Sequence, residues 1–249
     1  MDETQKREIL GKAKVFFKES IAKNHAENTE KCERLSTFAV NPFTVHYLAS
    51  FAFGDESAES LAKVLIYPRV LGTSISTTFG SNVQTFCHEV LGGFASTTQG
   101  MDIEFVDALD GRKKYCQLKA GPQTINKDDV ATIEGHFVGL KNLAPTNRLE
   151  NFNPMTDCCV GILYGEHRQI SANYKRIERD YPVYVGADFW TRLTGDQGFY
   201  ADLIKVFSDC AKDYAQTNVL DRTVAALAED IREHPDAIAY EFVRLDEPK

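Results

Sequence analysis

No stretch of this 249-residue chain approaches the ~18 consecutive apolar residues that a membrane-crossing helix needs. A helical span is excluded, and no membrane partner is expected. Positive charge is also scarce: 28 Lys and Arg stand against 36 Asp and Glu, a net charge of −8. That balance excludes binding to nucleic acid by bulk charge, but not binding in a cleft with a local positive potential. The six cysteines lack zinc spacing, with Cys158-Cys159 adjacent and Cys32, Cys87, Cys116 and Cys210 scattered. Buried free thiols in a reducing cytoplasm are the expectation. Asp2, Glu3, Lys6 and Arg7 stand where a signal peptide would soon turn apolar. No glycine is followed by Lys-Ser/Thr, so there is no Walker loop. Internal repeats and low-complexity linkers are missing as well.

What is there reads as a mixed α/β protein long enough to bury a real core. Residues 3–26 predict an amphipathic helix with Ile9, Ala13, Phe16, Phe17 and Ile21 on one stripe. Residues 41–69 predict two helices broken at Phe53-Gly54-Asp55, the second capped by Ser57. Residues 71–81, rich in small hydroxyl side chains, read as a loop. It either binds phosphate or base edges or caps the helix that starts near Asn82. Asn126 or Asp128 caps a helix running to about Leu143, with Val130, Ile133, Phe137 and Leu140 inward and His136 expected to be a satisfied core histidine. The continuous apolar run 159–165 predicts a strand covered on both faces. A second strand, 181–186, belongs nearer an edge because of Pro182. Trp190 opens a helical third, with apolar residues at helical spacing over 197–232.

Asp102-Ile103-Glu104-Phe105 returns through Asp110-Gly111 to Tyr115-Cys116-Gln117-Leu118-Lys119. Asp-Gly between two alternating runs is a strong two-residue hairpin signal. Such a turn sets Asp102 across from Lys119 and Glu104 across from Gln117. All four then project from one sheet face. A carboxylate such as Asp102 gives Mg²⁺ a hard oxygen ligand, and the Gln117 carbonyl adds a weaker one. The ion polarises a phosphoryl group and activates a water. Lys119 can orient that water or offset charge developing on phosphorus. This set of groups is what metal-dependent phosphodiester hydrolysis requires.

Asp102 on one strand with Gln117-Leu118-Lys119 on the next resembles the PD-(D/E)XK nuclease core. The run 117–126 (QLKAGPQTIN) is similar to type II restriction endonucleases, in particular the group cutting interrupted GC-rich palindromes of the RGGNCCY kind. Tyr67-Pro68-Arg69-Val70-Leu71-Gly72-Thr73-Ser74 and Phe79-Gly80 also look like that group. The resemblance covers roughly residues 40–200. It implies a restriction-endonuclease-like core, a central mixed sheet flanked by helices with helical segments at both ends. It implies a type II restriction endonuclease that uses Mg²⁺ to cleave double-stranded DNA, and a homodimer matched to a two-fold target. Asp102, Gln117 and Lys119 would be catalytic, and Thr124, Asn126 and Lys127 would contact DNA. Residues 1–70 would form a helical lid or dimerisation segment and 71–249 the nuclease domain.

Two positions depart from the family pattern. Met101 stands where the usual Pro precedes Asp, and Gln117 replaces the usual acid. With one charge fewer at the ion, a second carboxylate is called for: Glu104, across from Gln117, or Glu89 on the helix just upstream. Two basic runs, Arg112-Lys113-Lys114 and the group His167, Arg168, Lys175, Arg176 and Arg179, could touch phosphates or form solvated faces. Rival readings are a structure-specific repair or recombination nuclease with the same core, and a non-enzymatic helical binding protein whose hairpin pairs Asp with Lys for ordinary surface reasons.

Overall fold

The computed structural model describes residues 2–146, 149, 151–215 and 217–238. Six helices come first: α1 (Glu3–Phe16), α2 (Lys23–Glu30), α3 (Pro42–Phe53), α4 (Ala58–Pro68), α5 (Ile75–Ser81) and α6 (Val83–Glu89). Strands β1 (Ile103–Val106) and β2 (Lys113–Lys119) follow, then α7 (Lys127–Leu143), the short α8 (Pro154–Asp157) and β3 (Cys158–Ile162). Next come α9 (Ala172–Ile177), β4 (Val183–Val185), α10 (Ala187–Thr194), α11 (Phe199–Ala215) and α12 (Val219–Glu233).

The helix expected over 3–26 is interrupted by a π-helical turn, Phe17–Ala22. Phe16 and Ile21 are both buried and lie five positions apart. An i→i+5 turn keeps them on one side, where an α-helix would rotate them apart. The break at 53–55 stands where expected. α3 ends at a left-handed Gly54, and Ser57 Oγ accepts from Ser60 N–H at 3.2 Å to begin α4. Residues 71–81 correct the expected loop: a π-helical turn, Arg69–Ser74, runs straight into α5. Helical bonding uses the backbone N–H groups that a phosphate-binding loop would present, and Ser76 Oγ donates back to Gly72 O at 2.9 Å.

The sheet is mixed, in the order β1-β2-β3-β4, with β1 antiparallel to β2 and the remaining pairs parallel. Parallel neighbours need long crossovers, which carry α7 and α9. β3 is buried throughout, and β4, preceded by Pro182, is an edge strand. α7 buries Val130, Ile133, Phe137 and Leu140 in one cluster with Tyr115, Val160 and Ile162 of the sheet. From the other face, Phe105 meets Phe189 of α10 edge-on. A Cβ on Gly161 would stand 2.5 Å from that Phe189 ring and 2.9 Å from Cys116 Sγ, so glycine is what permits the approach.

Met1–Phe17 with Phe79–Ser208 form one compact unit, which holds the whole sheet. Lys18–Thr78 with the described residues from Asp209 onward form another. In the second unit, Leu61, Ala62 and Ile66 of α4 share a cluster with Val224, Leu227 and Ile231 of α12. These units divide the chain differently from the single boundary expected near residue 70. The apolar stripe of the C-terminal helix finds its partners on α4, so the chain passes between units three times. No helix among the described residues is long and apolar enough to cross a membrane. All six cysteines are free and buried.

Candidate active site at the end of the hairpin

The β1–β2 hairpin is present, but in a register two residues away from the expected one. Ile103 pairs with Cys116, Glu104 with Tyr115, Phe105 with Lys114 and Val106 with Lys113. Asp107 N donates to Arg112 O at 2.9 Å and closes a longer loop, in which the left-handed Gly111 donates to Asp107 O at 2.8 Å. The longer loop is anchored both within the hairpin and outside it. The buried Asp107 carboxylate takes Arg192 Nη1 at 2.8 Å and Leu109 N at 2.8 Å. The Lys114 ammonium reaches Asp110 Oδ2 at 2.6 Å and Thr156 O at 2.9 Å. Glu104 therefore does not face Gln117, and Asp102 does not face Lys119. A two-residue shift leaves Glu104, Gln117 and Lys119 on the face already assigned to them.

Asp102 is handled differently. Its N–H donates to Cys116 O at 3.0 Å, although Cys116 is already the register partner of Ile103. Two residues against one is a β-bulge, a device that re-aims a side chain at the end of a strand. Here it carries the Asp102 carboxylate back onto β2, where Oδ2 accepts the Leu118 N–H at 2.6 Å. The carboxylate thus occupies the place of the next ladder carbonyl, against the residue that separates Gln117 from Lys119.

Gln117 is 5% exposed and donates twice through Nε2, to Gly100 O at 2.7 Å and to His136 Nδ1 at 2.6 Å. Its carbonyl oxygen takes part in neither bond. His136 is a correction: it is an exposed residue of α7 that reaches the site, not a core histidine. Lys119, half-buried at the end of β2, has no side-chain ion pair or hydrogen bond among the described residues. Its backbone is fixed by Leu163 N–H donating to Lys119 O at 3.0 Å.

Glu104 is fully engaged. Oε1 accepts from Ser96 Oγ at 2.6 Å and Thr98 Oγ1 at 2.7 Å, while Oε2 pairs with Lys113 Nζ at 2.6 Å. Burial pushes its carboxyl up, but these three donors outweigh burial and hold it below the usual range. Glu89 is exposed at the last turn of α6. Two residues earlier on that helix, burial and then the Asp102 charge push the Cys87 thiol up to about 12.

Beyond β2, Thr124 Oγ1 donates to Gly121 O at 2.9 Å and pairs with Tyr174 Oη at 3.3 Å, fastening the turn. Asn126 caps α7, its Oδ1 accepting from Asp128 N and Asp129 N at 2.8 and 2.9 Å. Lys127 is exposed in the first turn and has no side-chain partner among the described residues. The basic run at the hairpin tip is neutralised within the fold: Arg112 by Asp157, Lys113 by Glu104 and Lys114 by Asp110. In the later run, His167 pairs with Glu178, Arg168 with Glu166 and Arg176 with Glu134.

The end of β2 thus collects a carboxylate, an amide oxygen and an ammonium. The two oxygen donors suit a hard divalent cation, and the lysine suits a phosphate. No match to a curated protein is found. The family model described as type II restriction endonuclease EcoO109I matches residues 12–215, a span that contains the whole sheet, the hairpin and α7. The chain belongs to this family of type II restriction endonucleases, enzymes that cleave DNA at specific sequences.

Proposed function

We propose that the protein is a Mg²⁺-dependent PD-(D/E)XK endonuclease that cuts double-stranded DNA at an interrupted GC-rich palindrome of the RGGNCCY kind. The observation that carries this reading is the Asp102 carboxylate lodged against the N–H between Gln117 and Lys119. Bound Mg²⁺ supplies Lewis acidity toward a phosphate oxygen and lowers the pKa of a coordinated water. Asp102 and the Gln117 carbonyl oxygen hold the ion. The Lys119 ammonium offsets charge that builds on the scissile phosphate. Glu104 leaves the expected ligand set, because both of its oxygens are held by Ser96, Thr98 and Lys113. Glu89, exposed at the last turn of α6, is then the candidate for the second carboxylate.

Thr124 and Asn126 shape the turn after β2 and present Lys127 to the DNA backbone. Phosphate contacts of this kind fix position rather than sequence. A palindromic target calls for one active site per strand, which a symmetric homodimer provides. Digestion of unmethylated plasmid and phage DNA, with Mg²⁺ and with EDTA, tests the whole reading. Discrete fragments that need Mg²⁺ are expected, with ends that map to one recurring palindrome. Fragments that track hairpins, flaps or nicks instead would identify a structure-specific nuclease. Intact DNA under every condition would refute cleavage altogether.

A further inference from the structure

An acidic residue at position 117 would offer a cation the same atom at either end of its carboxylate. Gln117 offers oxygen at one end and an NH₂ group at the other, and only the oxygen binds a hard cation. A site built on glutamine therefore needs something that decides which end faces the ion.

The surroundings of Gln117 make that decision. The Gly100 carbonyl can only accept, so the amide atom 2.7 Å from it is the nitrogen. The same nitrogen lies 2.6 Å from His136 Nδ1. Facing a donor, Nδ1 accepts through its lone pair, which leaves Nε2 to carry the ring proton. Turning the amide over would set its oxygen against the Gly100 carbonyl oxygen and break that bond, and would demand the other tautomer of His136. Gly100 contributes a second time through what it lacks. It is left-handed (φ +81°), and a Cβ there would stand 2.7 Å from His136 Cγ. The missing side chain leaves room for the imidazole at the position where it meets Gln117.

We propose that His136 is a positioning residue that, together with the Gly100 carbonyl, holds the Gln117 amide so that its oxygen and not its nitrogen is presented to Mg²⁺. The proposal rests on the reading of Gln117 as a ligand, and it gives the α7 histidine a role in the DNA-cleaving site. His136 is exposed, so its replacement leaves the core untouched.

Two measurements test it. The first needs no metal: ¹⁵N NMR of the intact protein at neutral pH, with His136 assigned by comparison with His136→Asn. The expected pattern is an unprotonated Nδ1 and a protonated Nε2; a proton on Nδ1 overturns the proposal. The second is the Mg²⁺ concentration for half-maximal plasmid cleavage. His136→Leu raises it about 10–100-fold, the usual cost of removing a group that orients a ligand. His136→Asn, whose Oδ1 sits where Nδ1 does, restores most of the loss. In a Gln117→Glu background either end of the side chain is oxygen, so adding His136→Leu shifts the requirement by less than about 3-fold. An equal shift in both backgrounds overturns the positioning role while leaving Gln117 a ligand. Should Gln117→Ala keep the wild-type Mg²⁺ requirement, the ligand reading itself fails and the inference goes with it.

Discussion

The two ends of β2 carry similar residues and use them in opposite ways. At the hairpin-tip end, Arg112, Lys113 and Lys114 each meet a carboxylate, and Lys114 is only 1% exposed with Asp107 and Asp110 near its ammonium. At the other end, Lys119 has no such partner among the described residues, and Gln117 stands where an acid would have neutralised it. A cation matched inside the protein holds strands and loops together, because separating a buried pair strands a charge. A cation left unmatched at the mouth of a site keeps its charge for a ligand from outside. Counting basic residues along the chain hides this distinction. The densest cluster belongs to the fold, and the solitary Lys119 is left open to a ligand.

That contrast can be broken by experiment. The largest effect is expected from Asp102→Ala and Lys119→Ala. Each should reduce DNA cleavage by at least about 10³-fold with the unfolding midpoint nearly unchanged; cleavage at wild-type rate by either variant would remove the site from this end of β2. Lys114→Met should do the reverse, lowering stability by about 3–5 kcal/mol in urea unfolding without altering the cleavage pattern of the protein that remains folded. Glu89→Gln should slow cleavage about 10–100-fold. Glu104→Gln should act on stability, because it weakens the pairing with Lys113 and the bonds from Ser96 and Thr98. The opposite assignment would return Glu104 to the ligand set.

A pH series sharpens the comparison further. Burial raises the Asp157 carboxyl, but Arg112, the Asn153 N–H and Thr156 outweigh burial and hold it below the usual range. A carboxyl lowered on folding adds stability above its unfolded value of about 4 and loses it as pH falls through the folded value. The urea midpoints of wild type and Asp157→Asn should therefore differ by a constant amount above about pH 5 and converge below pH 4. A gap that ignores pH would mean that Arg112 does not stabilise the ionised form. The smallest effect belongs to the exposed Arg168–Glu166 pair. Arg168→Ala should change stability by no more than about 0.5 kcal/mol.

Periodicity and capping rules read much of the fold directly. The α7 stripe of Val130, Ile133, Phe137 and Leu140, the Asn126 cap, the stop at Gly54 and the edge position of β4 all follow from residues near one another in the chain. The hairpin register did not, because Asp107 answers to Arg192 on α10, and the loop lengthens to make that contact. A local turn rule has no access to a partner so distant in sequence. The bulge at Asp102 escaped for the same reason, since it is defined by two residues competing for the Cys116 carbonyl. His136 was visible only as a polar position on a helix. Its meeting with Gln117 depends on how α7 crosses the sheet, which no residue near it in the chain reports.

The pairing of α4 with α12 orders events in time. A ribosome adds about 5–20 residues each second. The helices between 18 and 78 therefore leave the exit tunnel many seconds before their partner helix exists. Until then the apolar stripe of α4, Leu61, Ala62 and Ile66, has Val45 and Ala49 of α3 in its cluster but lacks Val224, Leu227 and Ile231. The sheet-bearing unit meets no such delay, since its last residue, Ser208, precedes α12. During synthesis the sheet-bearing unit is complete first, and the helical unit is completed only when α12 has been made.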